Sequence, residues 1–450
     1  TLTDAAGNFD FAGTKTVDIT TGLTTTDKDY GLFIGSSDFT VAGATTLSNT
    51  GVVTLGGLIT STITFADGLT ATAPGQVRFG VGTVSLSTTN GNVTIGDANP
   101  DAVSVLGDAS ISTGTGSIDL TDTVLADGAS LTVGDGSATA ITMDAIAGTA
   151  SSTASDLTFN TTNTVTVAES IGTDIGTLTL TQSGGATFEG AVTAATVALT
   201  DTTGTVAFEG DTTITSGLTT AAVDYALRFT GASNSVAGDT TLLNTGALTL
   251  GDASTDSTTF TGGLDTTAAS GTTVAGLVAT TDNAMDLGAV NLSAAATLAS
   301  GNAQVTTSSI TDGGSSHTLT LGESGQSGAF ALGGNVTVGT LATVAQDYDV
   351  SLTGAASVID TDTTFSNTGA LTLGDEAGDS TTFTGGLDTT EASGTTIAGT
   401  VATTDNAMDL GAVTLDAASM LASGSGAVTT GTVSDEIGRA SCRERVCVGV

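Results

Sequence analysis

From Ala186 to Gly251 the chain reads ATFEGAVTAATVALTDTTGTVAFEGDTTITSGLTTAAVDYALRFTGASNSVAGDTTLLNTGALTLG, and one motif returns through it. Its anchors are Phe188 in ATFEG, Phe208 in VAFEG, Phe229 in LRFTG and Leu250 in LTLGD, and they are almost evenly spaced. Each anchor follows a second apolar residue two positions earlier: Ala186, Val206, Leu227 and Leu248. Alternation of that kind turns both apolar side chains to one side of a strand and the residue between them to the other. Gly, Asp, Asn or Ser usually follows within a residue or two, and such residues favour turns. A strand, a turn and a return after one short period are the marks of a solenoid, in which each coil covers the apolar edge of its neighbour.

A longer repeat contains the shorter one. NTGALTLGDASTDSTTFTGGLDTTAASGTTVAG from Asn244 returns as NTGALTLGDEAGDSTTFTGGLDTTEASGTTIAG from Asn367. A diverged copy, DYGLFIGSSDFTVAGATTLSNTGVVTLGG from Asp29, matches DYALRFTGASNSVAGDTTLLNTGALTLGD from Asp224, at a much larger offset. Unequal offsets imply gain or loss of inner units, which a stack of coils tolerates better than rigid globular domains do. The expected fold is therefore an all-β, parallel β-helix (β-solenoid) with coils of about 20–21 residues. It should be continuous over 1–435, with related modules starting near 29, 224 and 347. About 20 coils advancing about 4.8 Å each would give a rod on the order of 100 Å. The alternative is a string of tandem β-sandwich domains. The short inner period and the absence of Trp argue against it, as do a Pro count of two and an aromatic content of 4%.

Composition agrees. Hydrophobic residues make up 39% of the 450 and mean hydropathy is +0.29, too apolar for a disordered chain despite a net charge of −39. Most of the 46 carboxylates are Asp rather than Glu, so the charge is carried by a turn former rather than a helix former. Such a surface repels nucleic acid and anionic lipid headgroups. No apolar run is long enough for a membrane helix, so no membrane insertion by this segment is expected.

Residues 436–446, EIGRASCRERV, break with everything before them. They match the translation of a common sequencing-adapter DNA, and residues 436–450 are expected to be an artefact rather than a domain. The stretch contains Arg439, Arg443 and Arg445 and both cysteines, Cys442 and Cys447. Without it no disulfide or zinc framework remains. The start at Thr1, within repeat texture, and this foreign end together suggest a piece of a longer protein.

The stretches NTGALTLGD, TFEGAVTAATVALTDTTGTVAFEGDTTIT and LTVGDGSATAITMDAIAG resemble the filamentous-haemagglutinin and autotransporter-passenger repeats of bacterial surface proteins. The resemblance covers nearly the whole chain before the tail, and it rests on pattern. It implies a right-handed parallel β-helix, secreted or displayed at the cell surface. The role it implies is an adhesin or stalk whose partners are flanking repeats of the same chain and a surface ligand, glycan or protein. The family's secretion domain and membrane anchor are not present in this sequence.

Chemistry is sparse. Before the tail the basic residues are Lys15, Lys28, Arg78 and Arg228, none in a compact polar motif. A β-helix lyase or hydrolase needs a basic residue or a carboxylate set beside a positioned histidine. His317, the one histidine, lies in SSHTLTLGES next to Ser315 and Ser316, without a nucleophile-elbow pattern. It reads as a solvent-facing residue at a strand start, and Arg228 as an outward surface residue. The expectation is a non-enzymatic structural or adhesive segment without a cofactor, against two alternatives: a carbohydrate-active β-helix enzyme and a calcium-binding repeat protein. Calcium wants several oxygens from neighbouring turns. The candidates are Asp282, Asn283 and Asp286, their copies Asp405, Asn406 and Asp409, and the set Asp375, Glu376 and Asp379. Turn chemistry alone also accounts for all of them. An ice-binding face would need the same outward residue on successive coils, and the residues after the aligned anchors vary: Glu189, Glu209 and Thr230.

Overall fold

Through the middle of the first half of the chain, each strand pairs in parallel with the third strand after it, as a short returning motif requires. Val93–Ile95 pairs with Ile118–Leu120, Val103–Val105 with Thr123–Leu125, and Ala109–Ser112 with Ser130–Val133. Three strands therefore make one coil there. The computed structural model describes residues 1–3, 7–96 and 103–435. The expected artefact at 436–450, with Cys442 and Cys447, lies outside the described residues. The chain divides into two compact units, Thr1–Gly231 and Ala232–Val450. It is a parallel β-solenoid with coils roughly 22 residues long. Among the described residues there is no helix, and every strand pairing described is parallel, unlike the antiparallel sheets of a β-sandwich.

In the first unit, two inward columns define one face. Leu69, Val93, Ile118, Ile141, Val165, Ala186, Val206 and Leu227 stack in register. Two positions on, Ala71, Ile95, Leu120, Met143, Val167, Phe188, Phe208 and Phe229 do the same. All but the lone alanines are large apolar side chains, and the whole set is buried. The recurring Phe anchors on successive coils form an aromatic ladder. Rings of Phe188 and Phe208 stack at 5.0 Å and 20°, and those of Phe208 and Phe229 at 5.0 Å and 4°. Phe159, from the column Ile63, Leu86, Ile111, Val133, Phe159, Leu180, Leu199, meets Phe188 across the core at 6.5 Å. Leu250 belongs to the second unit, where it is buried and pairs with Val274.

The period is less regular than expected. Phe208 pairs with Phe188, which matches the anchor spacing, but Leu120 pairs with Ile95, a distinctly longer coil. The inward triplets are kept, and the corners absorb the difference. A loop projecting into solvent can lengthen at little entropic cost while the ladder stays in register.

The residue between the two inward columns is the outward one of each triplet, as the alternation requires. On successive coils it is Thr24, Thr46, Thr70, Thr94, Asp119, Thr142, Thr166, Thr187, Ala207 and Arg228. Threonines predominate in this column, but Asp119 interrupts it, and Ala207 and Arg228 end it on the coils of Phe208 and Phe229. Similar hydroxyls line another face, where Thr64 lies 3.0 Å from Ser87 and Ser110 donates to Ser85 at 3.2 Å. Cross-strand hydroxyl pairs of this sort stabilise sheets by a few tenths of a kcal/mol to about 1 kcal/mol.

The second unit repeats the plan, with Leu264, Met285, Val305, Phe330, Val350 and Leu371 in one inward column. Its long strand Thr272–Thr280 rounds a corner at Gly276, where φ is +69° and the pairing register shifts. A Cβ there would collide with the backbone of Asp256 on the previous coil, so the corner requires glycine.

Candidate functional site

The modules starting at Asp29 and Asp347 share a clamp that joins three coils. Tyr348 is buried, its hydroxyl donates to Leu321 O on the coil before (2.7 Å), and it accepts from Val344 N (2.9 Å). Asn367, on the coil after, is also buried, and its amide donates to Tyr348 O at 3.0 Å. Tyr30 and Asn49 repeat the arrangement: Tyr30 donates to Leu2 O, accepts from Thr26 N, and has its carbonyl capped by Asn49 at 3.0 Å. Burial pushes the phenol of Tyr348 up to about 12, and does the same to Tyr225, its counterpart in the middle module. Tyr30 and Tyr348 thus tie one coil to the next through their hydroxyls and carbonyls.

The LTLGD motif closes a turn on a buried carboxylate. After Gly374 (φ +75°), Asp379 accepts from the backbone N–H groups of Asp375 and Glu376, both at 2.9 Å. Asp256 does the same for Asp252 and Ala253 after Gly251. Those N–H groups hold the Asp379 carboxyl below the usual range, whereas partial desolvation and the hydrogen bond to Asp379 push Asp375 above it. Of the calcium candidates Asp375, Glu376 and Asp379, the last is therefore engaged as a turn cap. Asp375 and Glu376 are on the exposed side of the turn.

Asp282 and Asp405 occupy left-handed backbone (φ +55° and +57°), a conformation Asp tolerates better than most residues. Each bonds one coil onward, Asp282 to Asn302 N at 3.0 Å and Asp405 to Ser425 N at 2.8 Å. The Ser425 N–H lowers the Asp405 carboxyl below its ordinary value. Asn283 donates to Thr261 O and Thr281 O, and Asn406 donates to Thr384 O and Thr404 O. Asp286 and Asp409 lie on the strands that follow these loops. Asp286 pairs in register with Asp265, and Asp409 with Asp388.

The first of these carboxylate pairs lines an open groove of about 600 Å³ together with Asp239, Thr241 and Asn283. Asp265 already accepts from the backbone N–H and hydroxyl of Thr267, as Asp388 does from Thr390. Sequence reading missed Asp265 and Asp388, although the repeated GGLDTT marks both. Among the described residues no group of three or more His, Cys, Asp or Glu side chains is placed to hold a metal ion. The calcium candidates thus fall into turn caps, inter-coil loop contacts and one face of a groove, rather than into a common coordination shell.

Arg228 faces out as expected, whereas His317, expected to face solvent at a strand start, is only partly exposed. His317 is half-buried immediately before the strand Thr318–Leu321, and its backbone N–H donates to Asp312 at 2.9 Å. Asp312 is buried and also accepts from Gly314 N (2.9 Å) and from Gly339 N on the next coil (2.8 Å). Burial raises its pKa, but these three N–H groups and the nearby His317 outweigh it and hold the carboxyl low. Arg228 is exposed at the outward centre of Ala226–Phe229. No family model, no curated protein and no solved structure matches this chain.

Proposed function

We propose that the chain is a non-enzymatic structural or adhesive segment of a large secreted or cell-surface repeat protein. The observation that carries this reading is where the polar side chains are spent. Tyr30, Tyr348, Asn49, Asn367, Asp256, Asp312 and Asp379 all tie backbone to backbone, within a turn or between coils. Catalytic groups instead need geometry aimed at a substrate. The outward residues are mainly hydroxyls and carboxylates on a stiff ladder, a surface suited to spacing or displaying contacts. The resemblance to bacterial surface repeats supports the same reading, with a surface glycan or protein as the ligand.

The test is a panel of neutral and uronate-containing polysaccharides, scored for both retention and cleavage by the purified chain. The expected result is no new reducing ends and no eliminated, unsaturated uronate, whether or not a glycan is retained. Turnover that disappears in the Asp286→Asn or Asp265→Asn variant would overturn the proposal and install the groove as an active site.

A further inference from the structure

We draw no further inference here: the strongest candidate, the outward threonine column Thr24, Thr46, Thr70 and Thr94 on one sheet face of the first unit, is a stripe of small residues whose like recurs on another face, and nothing in the structure shows what would bind it.

Discussion

Replacing Phe208 by Ala removes the middle ring of the aromatic ladder. Phe208 is fully buried, with a ring on each side at 5.0 Å, both nearly parallel to it. A buried Phe→Ala change costs about 3–5 kcal/mol through lost transfer energy and the cavity left behind. Two stacked partners, each worth about 0.5–1.5 kcal/mol beyond burial, place this site toward the upper end of that range. The cavity would be flanked by Phe188 and Phe229, whose own strands hold them in register, so little collapse can relieve it. In a repeat protein the loss should stay local before it spreads. Native-state hydrogen exchange is therefore the assay. Amides in Ala186–Phe188, Thr205–Phe208 and Ala226–Phe229 should lose protection strongly, and those in Val93–Ile95 and Ile118–Leu120 much less. Leu58→Ser is the control, since Leu58 is 86% exposed and should change stability by no more than about 0.5 kcal/mol. A Phe208→Ala cost below about 1 kcal/mol, or a loss of protection spread evenly over all coils, would refute the packing argument.

Further outcomes follow from the buried polar groups. Tyr348→Phe leaves Val344 N and Leu321 O without their partner and should cost about 1–3 kcal/mol in urea denaturation. Tyr225 and Tyr348 titrate near 12 in the folded chain against about 10 unfolded, so the stability they contribute through ionisation is complete below about pH 10. It should fall as the pH rises toward 12, and phenolate absorbance should show the late titration. Asp312 and Asp379 are shifted the other way. Their contribution is complete above the unfolded value of about 3.9 and is lost as the pH falls through their lower folded values. The double variant Asp312→Asn, Asp379→Asn should accordingly be less stable than wild type at neutral pH. The gap between them should narrow in acid-denaturation curves below about pH 4.

Much of this architecture was legible in the sequence because the inward triplets are dictated by burial. Val165-Thr166-Val167 or Leu248-Thr249-Leu250 can satisfy a narrow core in only one orientation, and the recurrence of Phe marked the coil directly. The corners were not legible. Their lengths are constrained only by φ at residues such as Gly276 and by caps such as Asp256, so shorter and longer coils stack equally well. The Tyr–Asn clamp was missed although it leaves a clear trace, since Asn49, Asn244 and Asn367 follow Tyr30, Tyr225 and Tyr348 at one fixed spacing. Asp379 stands in the sequence both as a calcium candidate and as a turn residue, because a carboxylate in a turn looks the same whether it caps N–H groups or faces a cation. Only the position of the neighbouring amides separates the two.

The claim on which everything else depends is that successive coils stack in parallel register. Spin labels on outward threonines of one column test it, with Cys442 and Cys447 replaced by Ser so that the introduced cysteines alone are labelled. Thr187 is four coils from Thr94 and six from Thr46 along the column. At about 4.8 Å per coil, the Thr187–Thr94 and Thr187–Thr46 pairs should be separated by about 19 Å and about 29 Å. Distances that rise in that order and by that increment are the predicted result, whereas a Thr46 label no farther from Thr187 than the Thr94 label would contradict the solenoid.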